Sequence, residues 1–233
     1  MANSKTKSPA ALLRTELMPG ALSAELVGTF ILTGAVIVTN GNVLVTAIAI
    51  IALVLMLSKV SGAHVNPVVT VSLWATKQIS WVKALGYIVA QVLGAMLALI
   101  VVSQFLAGNT QAAASGVTAY KVPALTGTWV PVMAEALGGL VFGLGIAASF
   151  LNKKEGLESA FLIGTALLVG IVLATLGSAG VVNPAVAVGV SGYTSNNMWT
   201  YSVYAIAPIV GGAAGAWLYK LMQWDVMNMA KKK

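Results

Sequence analysis

The segment Val65-Asn66-Pro67-Val68-Val69-Thr70-Val71 returns 117 residues later as Val182-Asn183-Pro184-Ala185-Val186-Ala187-Val188, with five of seven positions identical. Each copy sets an Asn before a Pro inside an apolar run. Proline suits the first position of a helix, where its missing N–H leaves no hydrogen bond unmade. Each copy therefore reads as a helix start with an Asn side chain at its tip. The repeat reaches further: Ala24-Glu25-Leu26-Val27-Gly28 resembles Ala134-Glu135-Ala136-Leu137-Gly138 at an offset of 110, and Gln91 and Gly94 align with Pro208 and Gly211 at 117.

Around these copies lie six apolar runs, 17–39, 43–57, 82–106, 131–151, 156–178 and 199–221, none with more than one charged residue. The chain is 58% hydrophobic and 8% charged, with a mean hydropathy of +0.91, outside the range of a soluble domain. A hydrocarbon core of about 30 Å is crossed by roughly 20 helical residues. The expectation is an all-α membrane protein of six transmembrane helices forming one domain over 1–233. Its repeats cover about 16–106 and 131–221, with tails at 1–15 and 222–233. Three spans per repeat is an odd number, so the halves must be inverted relative to one another.

The Asn-Pro segments, 67–76 and 184–192, are too short to span, since ten residues rise only about 15 Å. They are expected as re-entrant half-helices entering from opposite faces, a geometry tolerated where it lines a cavity. Each N-terminus carries roughly half a positive charge and free N–H donors. Two such tips at mid-membrane would repel cations while their Asn amides donate to a neutral solute.

The net charge of +7 follows topology rather than a nucleic-acid patch. With both termini on one side, twelve of the thirteen Lys and Arg collect there and only Lys121 falls opposite. By the positive-inside rule both termini are cytoplasmic, in a multi-pass protein of the cell membrane. The sequence has no cysteine and a single histidine, His64, and no nucleotide motif or catalytic constellation, so neither an enzyme nor a metal or cofactor is expected.

These residues resemble the major intrinsic protein family, the aquaporins and glycerol facilitators, over about 16–219. Ser61-Gly62-Ala63-His64-Val65-Asn66-Pro67-Val68 looks like the family's first Asn-Pro-Ala loop with Val68 in place of Ala, and Asn183-Pro184-Ala185 like the second. Ala24-Glu25-Leu26-Val27-Gly28-Thr29-Phe30 resembles the opening of its first helix. The resemblance implies a right-handed bundle with two half-helices, a homotetramer with one pore per subunit, and Glu25 and Glu135 as supports of the re-entrant loops. His64 is then a buried loop residue rather than a pH gate. In the family an Arg follows the second triplet as part of the outer filter; here Val186 stands there. The other three filter positions fall at Thr46, Ile171 and Gly180, so the expected filter is wide and apolar, without charge or aromatic ring.

The functional expectation is a passive channel for water and small uncharged solutes the size of glycerol or urea. The alternatives are an inverted-repeat secondary transporter, a formate/nitrite-type anion channel, and a structural membrane protein of low permeability.

Overall fold

The computed structural model describes residues 16–108, 127–190 and 198–230. Lys5, Lys7, Arg14, Lys121 and Lys231–Lys233, which carry part of the charge argument, lie outside them. Among the described residues every regular element is a helix. The elements are α1 (Pro19–Val38), α2 (Val43–Leu57), α3 (Pro67–Ala75), α4 (Trp81–Gly108), α5 (Trp129–Leu151), α6 (Gly156–Ala174), α7 (Pro184–Gly189), α8 (Met198–Tyr201), a π-helical turn (Ser202–Ile206) and α9 (Ala207–Ala230).

Five of the six expected spans are at least 18 residues long and apolar. The sixth, α2, has 15 residues, a rise of about 22 Å. Asn42 starts it, its Oδ1 accepting the Val45 N–H at 3.1 Å. Helical-type turns continue it, with Ser61 and Gly62 N–H donating to the Leu57 and Ser58 carbonyls. The last span is interrupted because Pro208 has no N–H for the carbonyl four residues back, and the helix widens into a π turn before it. Beyond it α9 runs to Ala230, past the expected end at 221. The second half-helix stops at Gly189 rather than 192.

The two halves pack alike. α1 lies on α4 and α5 on α9, while α2 and α6 meet across the halves. At the α1–α4 crossing a Cβ on Gly94 would sit 2.2 Å from the Leu26 carbonyl oxygen, and at the α5–α9 crossing one on Gly211 would sit 2.0 Å from that of Ala136. Leu26 and Ala136 differ by 110 and the glycines by 117, so one contact occurs twice. Gly139 and Gly143 meet the Pro208 and Gly212 carbonyls, and Gly215 that of Leu140. These small-residue motifs join α5 to α9 within one chain. Outward faces carry apolar side chains such as Leu44, Ile100 and Phe105, while Glu25, Gln91, Asn66 and Glu135 are fully buried. That is the polarity of a protein whose surroundings are lipid.

Candidate functional site

Both Asn-Pro segments open half-helices, and both Asn residues cap them. Asn66 Oδ1 accepts the Val68 N–H at 2.8 Å. Asn183 Oδ1 accepts those of Ala185 and Val186 at 3.1 and 3.2 Å. Pro67 and Pro184 occupy the first helical turn. The amide nitrogens reach across the repeat: Asn66 Nδ2 donates to the Val182 carbonyl at 3.0 Å, and Asn183 Nδ2 to that of Val65 at 3.1 Å. The two tips are therefore tied to each other. Each amide keeps a second hydrogen with no protein acceptor among the described residues.

Those two carbonyls are aimed by backbone that is costly to hold. Val65 and Val182 have φ of 41° and 46°, a left-handed conformation worth roughly 1–3 kcal/mol of strain in a β-branched residue. The buried carboxylates oppose that cost. Glu25 accepts from Ser61 Oγ (2.6 Å), His64 N (2.9 Å), Val65 N (2.7 Å) and Gln91 Nε2 (2.8 Å). Glu135 accepts from Ser178 Oγ (2.7 Å), Val181 N (2.9 Å) and Val182 N (2.9 Å). Ser61 and Ser178, and Val65 and Val182, are each 117 apart, so one carboxylate–serine–valine clamp is built twice.

The first loop has further supports. Thr70 Oγ1 meets His64 Nδ1 at 3.1 Å and accepts from Gln91 at 3.0 Å, and Tyr87 donates to the Ser61 carbonyl at 2.7 Å. His64 is buried, edge-on to Tyr87 and to Phe150. Sequence reading did not single out Thr70, Tyr87 or Gln91 as supports. Their counterparts by the 117 offset are Ala187, Tyr204 and Pro208, so the repeat carries little signal for this polar network.

One cavity reaches Asn183, and a second opens on the lysine-rich face. The first brings together all four filter positions, Thr46, Ile171, Gly180 and Val186, with Asn183 at its base and Leu32, Val36 and Leu167 on its wall. Its volume is about 410 Å³, part of it open to solvent. Asn183 and Thr46 are the uncharged polar side chains within an otherwise apolar lining. The sequence offered no marker for Leu32, Val36 or Leu167, which differ in nothing from ordinary core residues. The second is a roomier vestibule of about 680 Å³ on the lysine-rich face, lined by Ser58, Lys59, Gly62, Phe150, Lys154, Glu155, Gly156 and Ser159. Lys59 pairs with Glu155 across it at 2.6 Å, and this ammonium holds the Glu155 carboxyl below its ordinary value. Lys220 reaches the Thr76 carbonyl at the foot of α3 at 3.5 Å, on the same face.

Membrane-length helices enclosing two opposed half-helices, with a cavity reaching the amide of Asn183, define a channel-type integral membrane protein. The pattern that describes the family Major intrinsic protein matches residues 20–219. The chain belongs to that family, whose members are channels and not enzymes. Its relatives include the Archaeoglobus fulgidus protein named "Probable aquaporin AqpM", 32% identical over 238 aligned residues that cover 86% of this chain and 95% of that protein. A second is the glycerol uptake facilitator protein-like 6 of Lactiplantibacillus plantarum, 31% identical and covering 85% of this chain and 96% of that one. Among solved structures, the aquaglyceroporin of Plasmodium falciparum has the same fold with a TM-score of 0.62. At 20% identity, it covers 86% of this chain and 93% of that one.

Proposed function

We propose that the protein conducts water and small uncharged solutes, glycerol and urea included, through a filter formed by Thr46, Ile171, Gly180 and Val186. The observation that carries this is the lining of the outer cavity. Those four residues line one cavity with Asn183, and none is charged or aromatic. An Arg in place of Val186 would add a guanidinium and narrow the passage. Its absence leaves apolar walls that accept a carbon backbone, with Asn66 and Asn183 supplying hydrogen-bond donors at the constriction. In this reading Glu25 and Glu135 hold the loops, and His64 braces the first one. The names of the relatives, an aquaporin and a glycerol uptake facilitator, are consistent with either solute. The assembly is a homotetramer in the cell membrane, one domain per chain, with both termini cytoplasmic by the lysine bias.

Cation exclusion then rests on the half-helices, since no filter charge assists them. One observation favours a second reading. The apolar lining around Asn183 suits a constriction that closes by dewetting, leaving low permeability in the resting state. The purified protein in liposomes separates the two. Shrinkage under a glycerol gradient followed by re-swelling supports the open apolar filter. A water rate no faster than in empty vesicles supports the closed one.

A further inference from the structure

Each half-helix rests in a seat formed by the two long helices of the packed pair beside it, and the two seats are filled in opposite ways. In the first, α3 carries the bulk: Val68 and Ser72 face Gly212 of α9. A Cβ on Gly212 would fall 2.4 Å from Val68 Cγ1 and 3.0 Å from Ser72 Oγ, and Gly212 itself abuts Gly143 of α5. The repeat offsets carry Val68, Ser72, Gly212 and Gly143 onto Ala185, Gly189, Ala95 and Thr33. In the second seat α7 is therefore bare and the scaffold carries the bulk. A Cβ on Gly189 would fall 2.3 Å from Thr33 Cγ2 and 2.9 Å from the Ala95 carbonyl oxygen. Ser72 Oγ and Thr33 Oγ1 are both buried without a hydrogen-bond partner, so what each contributes to its seat is volume. Large on small in one half becomes small on large in the other.

We propose that Gly212 is a positioning residue for the pore amide of Asn66, and that the valine in the first Asn-Pro-Val triplet and this glycine form a matched pair. Val68 is fully buried, and its N–H holds Asn66 Oδ1 at 2.8 Å. Asn66 in turn reaches the Val182 carbonyl at 3.0 Å. Two hydrogen bonds therefore connect the seat to the opposite half. The hollow at Gly212 sets how far α3 advances towards α7, and any atom added there pushes Val68, and with it Asn66, into the constriction. This rests on the channel reading above and assigns a determinant of conduction outside the lining.

The test is a three-variant cycle, Gly212→Ala, Val68→Ala and the double variant, in liposomes, with permeability expressed per folded channel. Gly212→Ala should lower water permeability by roughly fivefold or more, the factor that ~1 kcal/mol of added barrier gives, and steepen its temperature dependence. The double variant, which copies the alanine pair of the second seat, should recover both. Overturning results are a double variant as impaired as Gly212→Ala, or a Gly212→Ala protein that conducts normally per folded channel while merely being less stable. Should Gly212→Ala fail to fold, the double variant must fold and conduct, and its failure to do so also overturns the pairing. A wild type that conducts nothing would sink the channel reading alone. The pair would then stand or fall on whether Val68→Ala restores the unfolding midpoint lost in Gly212→Ala.

Discussion

At the scale of single residues, the filter and the loop clamps make separate predictions. Val186 is 3% exposed and lines the outer cavity with Ile171. Val186→Arg should reduce glycerol and urea permeability by roughly tenfold, an added barrier of ~1.4 kcal/mol, while water flux falls less, as followed by light scattering. Equal loss for all three solutes would mean that position 186 blocks rather than selects. Glu135 faces three donors with two carboxylate oxygens. Glu135→Gln places an NH₂ against at least one of them and should cost about 1–3 kcal/mol for the unpaired buried donor, read as a lower thermal midpoint in detergent. The clamp was half legible in the sequence. The Glu pair stood out because a carboxylate inside an apolar run is rare, but its serine partners lay unmarked among other small loop residues. Thr70, Tyr87 and Gln91 were harder still, because Ala187 and Pro208 in the second copy leave nothing polar at two of the three positions.

At the scale of elements, boundaries followed chemistry that a sequence displays. Asn42, Asn66 and Asn183 begin helices where short polar side chains can cap them. The π turn did not show itself, since a proline at 208 announces a disturbance but not whether the helix breaks, kinks or widens. The end of α7 was misplaced for another reason: Gly189 and Gly192 lie three residues apart, either can close a helix, and the sequence does not say which one does. Helix contacts also make a prediction. Gly94→Ala forces a Cβ against the Leu26 carbonyl, which is backbone and cannot rotate away. This overpacking should cost about 1–3 kcal/mol, and Gly211→Ala should cost a similar amount at the equivalent crossing, both measurable as folded yield and thermal midpoint. The Lys59–Glu155 pair behaves oppositely, with both side chains over 70% exposed, where such pairs contribute little. Its sign is nevertheless fixed. The carboxyl is depressed in the folded state, so any contribution is present above the ordinary carboxylate range and lost as pH falls through the lowered value. Lys59→Ala should leave the midpoint at neutral pH unchanged.

At the scale of the whole molecule, the odd number of spans in each repeat is what makes a duplicated triplet into a passage. Two copies related by inversion meet tip to tip, and the crossed amide-to-carbonyl bonds between Asn66, Val182, Asn183 and Val65 hold them there. The duplication and its inversion could be read from the chain because hydropathy and counting suffice. The walls of the cavity at Asn183 could not, because they depend on how Leu32, Val36 and Leu167 pack. The central claim is that opposed half-helices with an uncharged filter pass neutral solutes and refuse ions. The most direct measurement is stopped-flow light scattering of liposomes holding the purified protein and an internal pH dye, under water, glycerol and urea gradients in turn. Water and solute flux well above that of empty vesicles is expected, with a dye trace indistinguishable from theirs when a pH gradient is imposed. Proton flux accompanying solute entry, or solute uptake only when protons move, would contradict it.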